Sequence, residues 1–156
     1  MNRLCIGIAA TALTLSMAGA ANAELFGDYV GYTACVQCHA DKVEGWKTTP
    51  HANAFDDLRK QGEEKQSVPG CVRCHVVGMD GDGGFMDMDL TPELKDVQCE
   101  SCHGPGRMHV ESEDPADIIG KPDEASCRTC HTEGQDRNFD YTEKSRFVHG
   151  ASGQGE

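Results

Sequence analysis

Cysteine and histidine recur in one fixed arrangement in this chain, Cys-x-x-Cys-His. It stands at Cys35, Cys38 and His39; at Cys71, Cys74 and His75; at Cys99, Cys102 and His103; and at Cys127, Cys130 and His131. Cysteines three positions apart face the same side of one helical turn, where both thiols can form thioethers to the vinyl groups of a single porphyrin. The histidine that follows projects onto the iron as its proximal ligand. Four motifs of this kind imply four covalently bound haem c groups. Paired cysteines also build zinc ribbons and thioredoxin-like redox sites, but neither calls for a histidine directly after every pair.

Histidine supply then makes the four haems unequal. The chain has 7 histidines. Once the motif residues are set aside, His51, His109 and His149 remain as distal candidates for four irons. A six-coordinate low-spin iron with two strong axial ligands reorganises little on changing oxidation state, which suits electron transfer. The fourth iron is left to a methionine, to a donor from another subunit, or open. Met79, Met86 and Met88 follow the second motif closely and Met108 the third; the competing role for a methionine is to fill gaps against porphyrin.

Met1-Asn2-Arg3, the apolar stretch Leu4 to Met17 and the small-x-small run Ala21-Asn22-Ala23 read as a secretory signal peptide over 1–23. Cleavage there removes Cys5, the unpaired cysteine, and leaves 24–156 as one tetrahaem cytochrome domain, exported to the periplasm or beyond. The apolar stretch is too short for a transmembrane segment, and no second one follows. About 33 residues per haem, with 3 Tyr, 5 Phe and 1 Trp in the whole chain, leave little apolar material for an ordinary core. The porphyrins are expected to be that core, and the haem-free chain to be largely unfolded. A formal charge of −12 disfavours nucleic acid and anionic lipid. It suits a redox donor and acceptor with a basic docking surface, or serves solubility alone.

The elements that must position these groups are short. Each motif is expected on a brief helix, the first continued through Asp41 to Trp46. Thr48-Thr49-Pro50 reads as a cap and first helical position for a helix over His51 to Lys60. Met79 to Gly84 is a turn between Val76-Val77 and Phe85-Met86, which predicts a small hairpin. That turn begins like a calcium loop, but Phe85 and Thr91 stand where the loop's glycine and bidentate acid belong. Gly104-Pro105-Gly106 is a tight reversal. The fold class is mainly α with long loops, packed around the haems.

The segments Cys35 to Leu58, Cys71 to Phe85 and Val97 to Arg107 resemble the tetrahaem cytochrome c-554 family of ammonia-oxidising bacteria. The likeness includes the Trp46 to His51 spacing, the Gly-Gly-aromatic turn and the run Cys-Glu-Ser-Cys-His-Gly-Pro-Gly-Arg. It implies a mainly helical multihaem fold with closely paired haems, three of them bis-histidine and the second five-coordinate. Carried onto this chain, the resemblance sets His51 on the third haem, His109 on the first and His149 on the fourth. The small tetrahaem cytochromes of sulfate reducers are a poorer comparison, because they require eight histidine ligands.

The expected function is electron carriage between redox partners, which needs no catalytic residue. Two alternatives stand beside it. One is a small enzyme reducing nitric oxide, nitrite or hydroxylamine at an open second haem; the other is a subunit of a multihaem filament or complex.

Overall fold

The structure, a computed structural model, describes residues 28–79 and 81–151; the expected signal peptide lies outside the described residues. Among the described residues, seven short α-helices connect through 3₁₀ turns and loops: α1 (Tyr32–Trp46), α2 (Ala54–Lys60), α3 (Pro69–Val72), α4 (Cys99–His103), α5 (Arg107–Ser112), α6 (Glu124–Arg128) and α7 (Tyr141–Lys144). The mainly α class holds, and only α1 runs beyond two turns.

The backbone of α1 leaves helical geometry at His39 (φ −122°, ψ 40°), at the end of the first motif. Beyond the kink the helix buries Val43 and Trp46. The Trp46 indole N–H donates to the Val97 carbonyl at 2.8 Å, and its ring packs on Tyr32 with centroids 4.9 Å apart. That contact ties the first motif's helix to the segment leading into the third.

The stretch after α1 differs from its expected form. Thr48 and Thr49 do not cap the next helix; their hydroxyls donate back to the Gly45 and Trp46 carbonyls, each at 2.7 Å, satisfying the open end of α1. Pro50 does start a turn, the 3₁₀ segment Pro50–Asn53, but the helix restarts only at Ala54. The Asp96–Val97 segment explains the break. The Val97 amide donates to the His51 carbonyl at 3.1 Å, while the buried Asp96 carboxylate accepts from the Phe55 amide at 3.0 Å.

Phe55, Leu58, Val72, Val76, Val77, Phe85 and Leu94 form one apolar cluster, with Tyr29, Cys71 and Met79 against it. The polypeptide therefore supplies a core of its own, but around the second motif. The expected hairpin there is reduced. The Phe85 amide donates to the Val77 carbonyl at 2.8 Å, yet Val76 bridges to Lys95 instead, and no strand forms among the described residues. Glycine sets the turn's tightness, because a Cβ on Gly84 would lie 1.7 Å from the Gly78 carbonyl oxygen. A turn this compressed brings Phe85 into the cluster rather than extending a ladder.

Candidate functional site

Each motif begins on one of the short helices, and the sequence supplies their starts. Pro69 occupies the first turn of α3. The Ser101 hydroxyl accepts from the Gln98 amide at the start of α4 (3.2 Å), and the Asp123 carboxylate accepts from the Ser126 amide at the start of α6 (3.1 Å). No disulfide joins any of the eight motif cysteines, and none of them is fully buried. The described residues contain no group of three or more potential ligands gathered around a common point, as a zinc ribbon would require.

Contacts between motifs give their order in space. The Cys35 thiol is hydrogen-bonded to Cys99, a contact that raises the pKa of Cys35 and lowers that of Cys99. Burial pushes the Cys102 thiol up to about 11, with Cys127 and Cys130 close enough to add to the effect. Burial also lowers the pKa of His51, and the neighbouring His131 and His75 lower it further. The first motif therefore neighbours the third, the third neighbours the fourth, and His51 stands near both His131 of the fourth and His75 of the second.

All three spare histidines face a motif histidine. His39 and His109 have ring centroids 6.3 Å apart and planes within 20°; His103 and His149 are 6.2 Å apart and within 19°. His51 and His131 are 6.1 Å apart, with planes crossed at 60°. Two nitrogen–metal bonds of about 2 Å each, plus half the width of each ring, come to roughly 6 Å. One iron fits between the rings of each pair. His109 meets the first motif as expected, but the other two are exchanged: His51 lies against the fourth motif rather than the third, and His149 against the third rather than the fourth. The turn before α2 directs His51 towards the loop after α6, while the chain after α7 returns to α4.

The tautomers suit ligation. Nδ1 of His75 donates to the Ala54 carbonyl at 2.5 Å, that of His103 to Ile119 at 2.6 Å and that of His109 to Asp114 at 2.9 Å. A carbonyl can only accept, so the proton sits on Nδ1 and the Nε2 lone pair is free for a metal. His131 differs, for its Nδ1 donates to the Asp136 carboxylate at 3.0 Å. Burial lowers the pKa of His51 and of His149, which keeps both neutral and able to coordinate.

His75 has no histidine opposite, because each of the three spare histidines is taken by another motif. Met79, Met86 and Met88 line a groove of about 560 Å³ together with Phe55, Val72 and Phe85, next to the second motif. Met86 stands 65% exposed.

Sequence reasoning missed the anchor of the third motif. Glu100, between Cys99 and Cys102, is 2% exposed. It accepts from the amides of Val30 (3.0 Å), Gly31 (2.8 Å) and Gly106 (2.7 Å). Burial outweighs these three donors and holds its carboxyl above the ordinary range. Buried Gln98 accepts from the Tyr32 amide at 2.7 Å and donates to the Glu93 and Lys95 carbonyls, each at 2.6 Å. The Glu-Ser and Gly-Pro-Gly elements of the third motif thus bind the start of α1 to α4; the signal was a carboxylate inside a haem-attachment motif, whose burial no local pattern reveals.

The chain is similar to known proteins in both sequence and fold. Residues 34–104 match the family model for cytochrome c554 and c-prime. Over 92 residues the chain is 36% identical to cytochrome c-554 of Nitrosomonas europaea, covering 51% of this chain and 39% of that protein. The match thus spans well under half of that relative's length. The solved structure of reduced cytochrome c554 from Nitrosomonas europaea aligns with a TM-score of 0.58 at 26% identity, covering 79% of this chain and 84% of that one.

Proposed function

The chain belongs to the cytochrome c554 family, and from that premise we propose that it is an exported tetrahaem c-type cytochrome that passes electrons between redox proteins. Cys35 and Cys38, Cys71 and Cys74, Cys99 and Cys102, and Cys127 and Cys130 would each hold a haem through thioethers. The facing rings of His39 with His109, His103 with His149, and His131 with His51 would hold three of the irons, and His75 the other. Haem, when bound, supplies one-electron exchange between ferric and ferrous iron. The polypeptide fixes each iron's ligands and sets the first motif beside the third, the third beside the fourth, and His51 near both the fourth and the second. The observation that carries this reading is the three facing imidazole pairs at 6.1–6.3 Å. A charge of −12 favours partners that present a basic surface.

A second reading concerns the second haem. Because His75 lacks a facing histidine, its iron is the place where nitric oxide, nitrite or hydroxylamine would bind, with electrons stored on the other three.

Low-temperature magnetic resonance of the oxidised holoprotein tests both. The expected result is four haems per chain, three low-spin signals and one high-spin signal that shifts on adding nitric oxide. Two low-spin signals should resemble each other and the third differ, because parallel imidazole planes split the iron d orbitals differently from crossed ones. A wholly low-spin spectrum would remove the second reading, and fewer than four haems would overturn the first.

A further inference from the structure

We propose that Asp136 is a positioning residue for the fourth haem, holding the His131 imidazole by a charged hydrogen bond that lowers the potential of that haem relative to its neighbours. The proposal rests on His131 being an iron ligand.

Four ligand-candidate imidazoles have a defined Nδ1 partner, and three of those partners are neutral backbone carbonyls. Only His131 donates to a carboxylate. The loop after α6 builds that contact: the amide of Asp136 donates to the Thr132 carbonyl at 2.7 Å and that of Gln135 to the same oxygen at 3.0 Å. This turn brings the side chain back to the imidazole five residues earlier. Phe139 stacks on the His131 ring with centroids 4.5 Å apart and planes within 23°, fixing its orientation. Arg128 lies over the Phe139 ring at 4.8 Å. Glu124 holds its guanidinium at 3.0 Å, and Arg128 also donates to the carbonyls of His131 and Phe139.

A carboxylate accepting from Nδ1–H draws the proton away from the ring and makes Nε2 a stronger donor. Ferric iron carries one more positive charge than ferrous iron, so a stronger donor favours the oxidised form. A carbonyl does the same more weakly, because it bears no full charge. The fourth motif neighbours the third, and His51 beside it stands near His75 of the second, so a low potential there separates electrons on the first and third haems from those on the second.

The test is a spectroelectrochemical titration of the holoprotein and of Asp136→Asn, Asp136→Glu and Glu124→Gln, with haem counted in each. Asn matches Asp in shape and still accepts from Nδ1–H, but without the charge. The expected result is four haems throughout, with one of four midpoints raised in Asp136→Asn and returned towards the original value in Asp136→Glu. Glu124→Gln removes an equal charge from the same corner without touching His131, and should move that midpoint less. Unchanged midpoints in Asp136→Asn would overturn the proposal. So would a shift shared equally by all four haems, an equal shift in Glu124→Gln, or loss of the fourth haem. A haem count other than four in the unaltered protein would instead refute the ligand assignment on which the proposal rests.

Discussion

The second motif and the other three are built on different physical terms. Around Cys71, Cys74 and His75 the polypeptide makes its own apolar core from Phe55, Leu58, Val72, Val76, Val77, Phe85 and Leu94. Around the first, third and fourth motifs few apolar side chains are buried, chiefly Val43, Trp46 and Phe139, and the arrangement is marked by imidazoles facing one another across an iron-sized gap. The second site is thus held by peptide packing and left without a facing histidine; the others depend on the cofactor to join distant stretches of chain. An open coordination position, as proposed for the second haem, would call for a scaffold that stands without a second axial bond, and the apolar cluster would supply it.

The largest expected effect comes from withholding haem altogether. In the haem-free chain, hydrogen-exchange protection should survive only within the segment from Phe55 to Leu94, because that region alone buries a connected apolar cluster. Uniform protection along the chain, or none anywhere, would break the contrast between the two kinds of site.

A second experiment makes one of the paired sites resemble the unpaired one. His51→Ala should turn one low-spin signal high-spin, and the signal lost should be the distinct one assigned to crossed imidazole planes. His149→Ala should remove one of the two similar signals. The opposite outcome would restore the pairing implied by family resemblance, with His51 on the third haem and His149 on the fourth.

The smallest effects compare the two kinds of scaffold by stability. Leu58, at 3% exposure, sits in the apolar cluster, and Leu58→Ala should cost about 3 kcal/mol in denaturant unfolding of the holoprotein. Glu100→Ala leaves three backbone amides without their acceptor and should cost about 2 kcal/mol, since water entering the space repairs part of the loss. The first variant should loosen protection around the second motif, and the second around the junction of α1 with α4. Equal loosening at both places would mean that the regions do not behave separately.

Local chemistry was legible wherever it rested on residues close in the chain. The motif helices follow from near-neighbour geometry, and so does a helical start at Pro50, although it opens as a 3₁₀ turn and the α-helix begins only at Ala54. The hairpin after the second motif was overestimated, because Val76 pairs with Lys95, a partner distant in sequence. Thr48 and Thr49 are residue types that suit the start of the following helix, yet their hydroxyls serve the preceding one. Both orientations are compatible with the same residues, and the amide of Val97 and the carboxylate of Asp96 decide between them.

By itself the sequence determined that four attachment motifs exist and that only three further histidines are available to them. That arithmetic already leaves one motif histidine without a histidine partner, because counting depends on composition alone. Tertiary structure decided which one. His51 reaches His131 and His149 reaches His103 because α2 and the chain after α7 are carried there by contacts between residues far apart in sequence. The burial of Glu100 and the carboxylate beside His131 belong to the same category. A Cys-x-x-Cys-His motif specifies its own helical turn, but what stands opposite its histidine depends on the path of the whole chain.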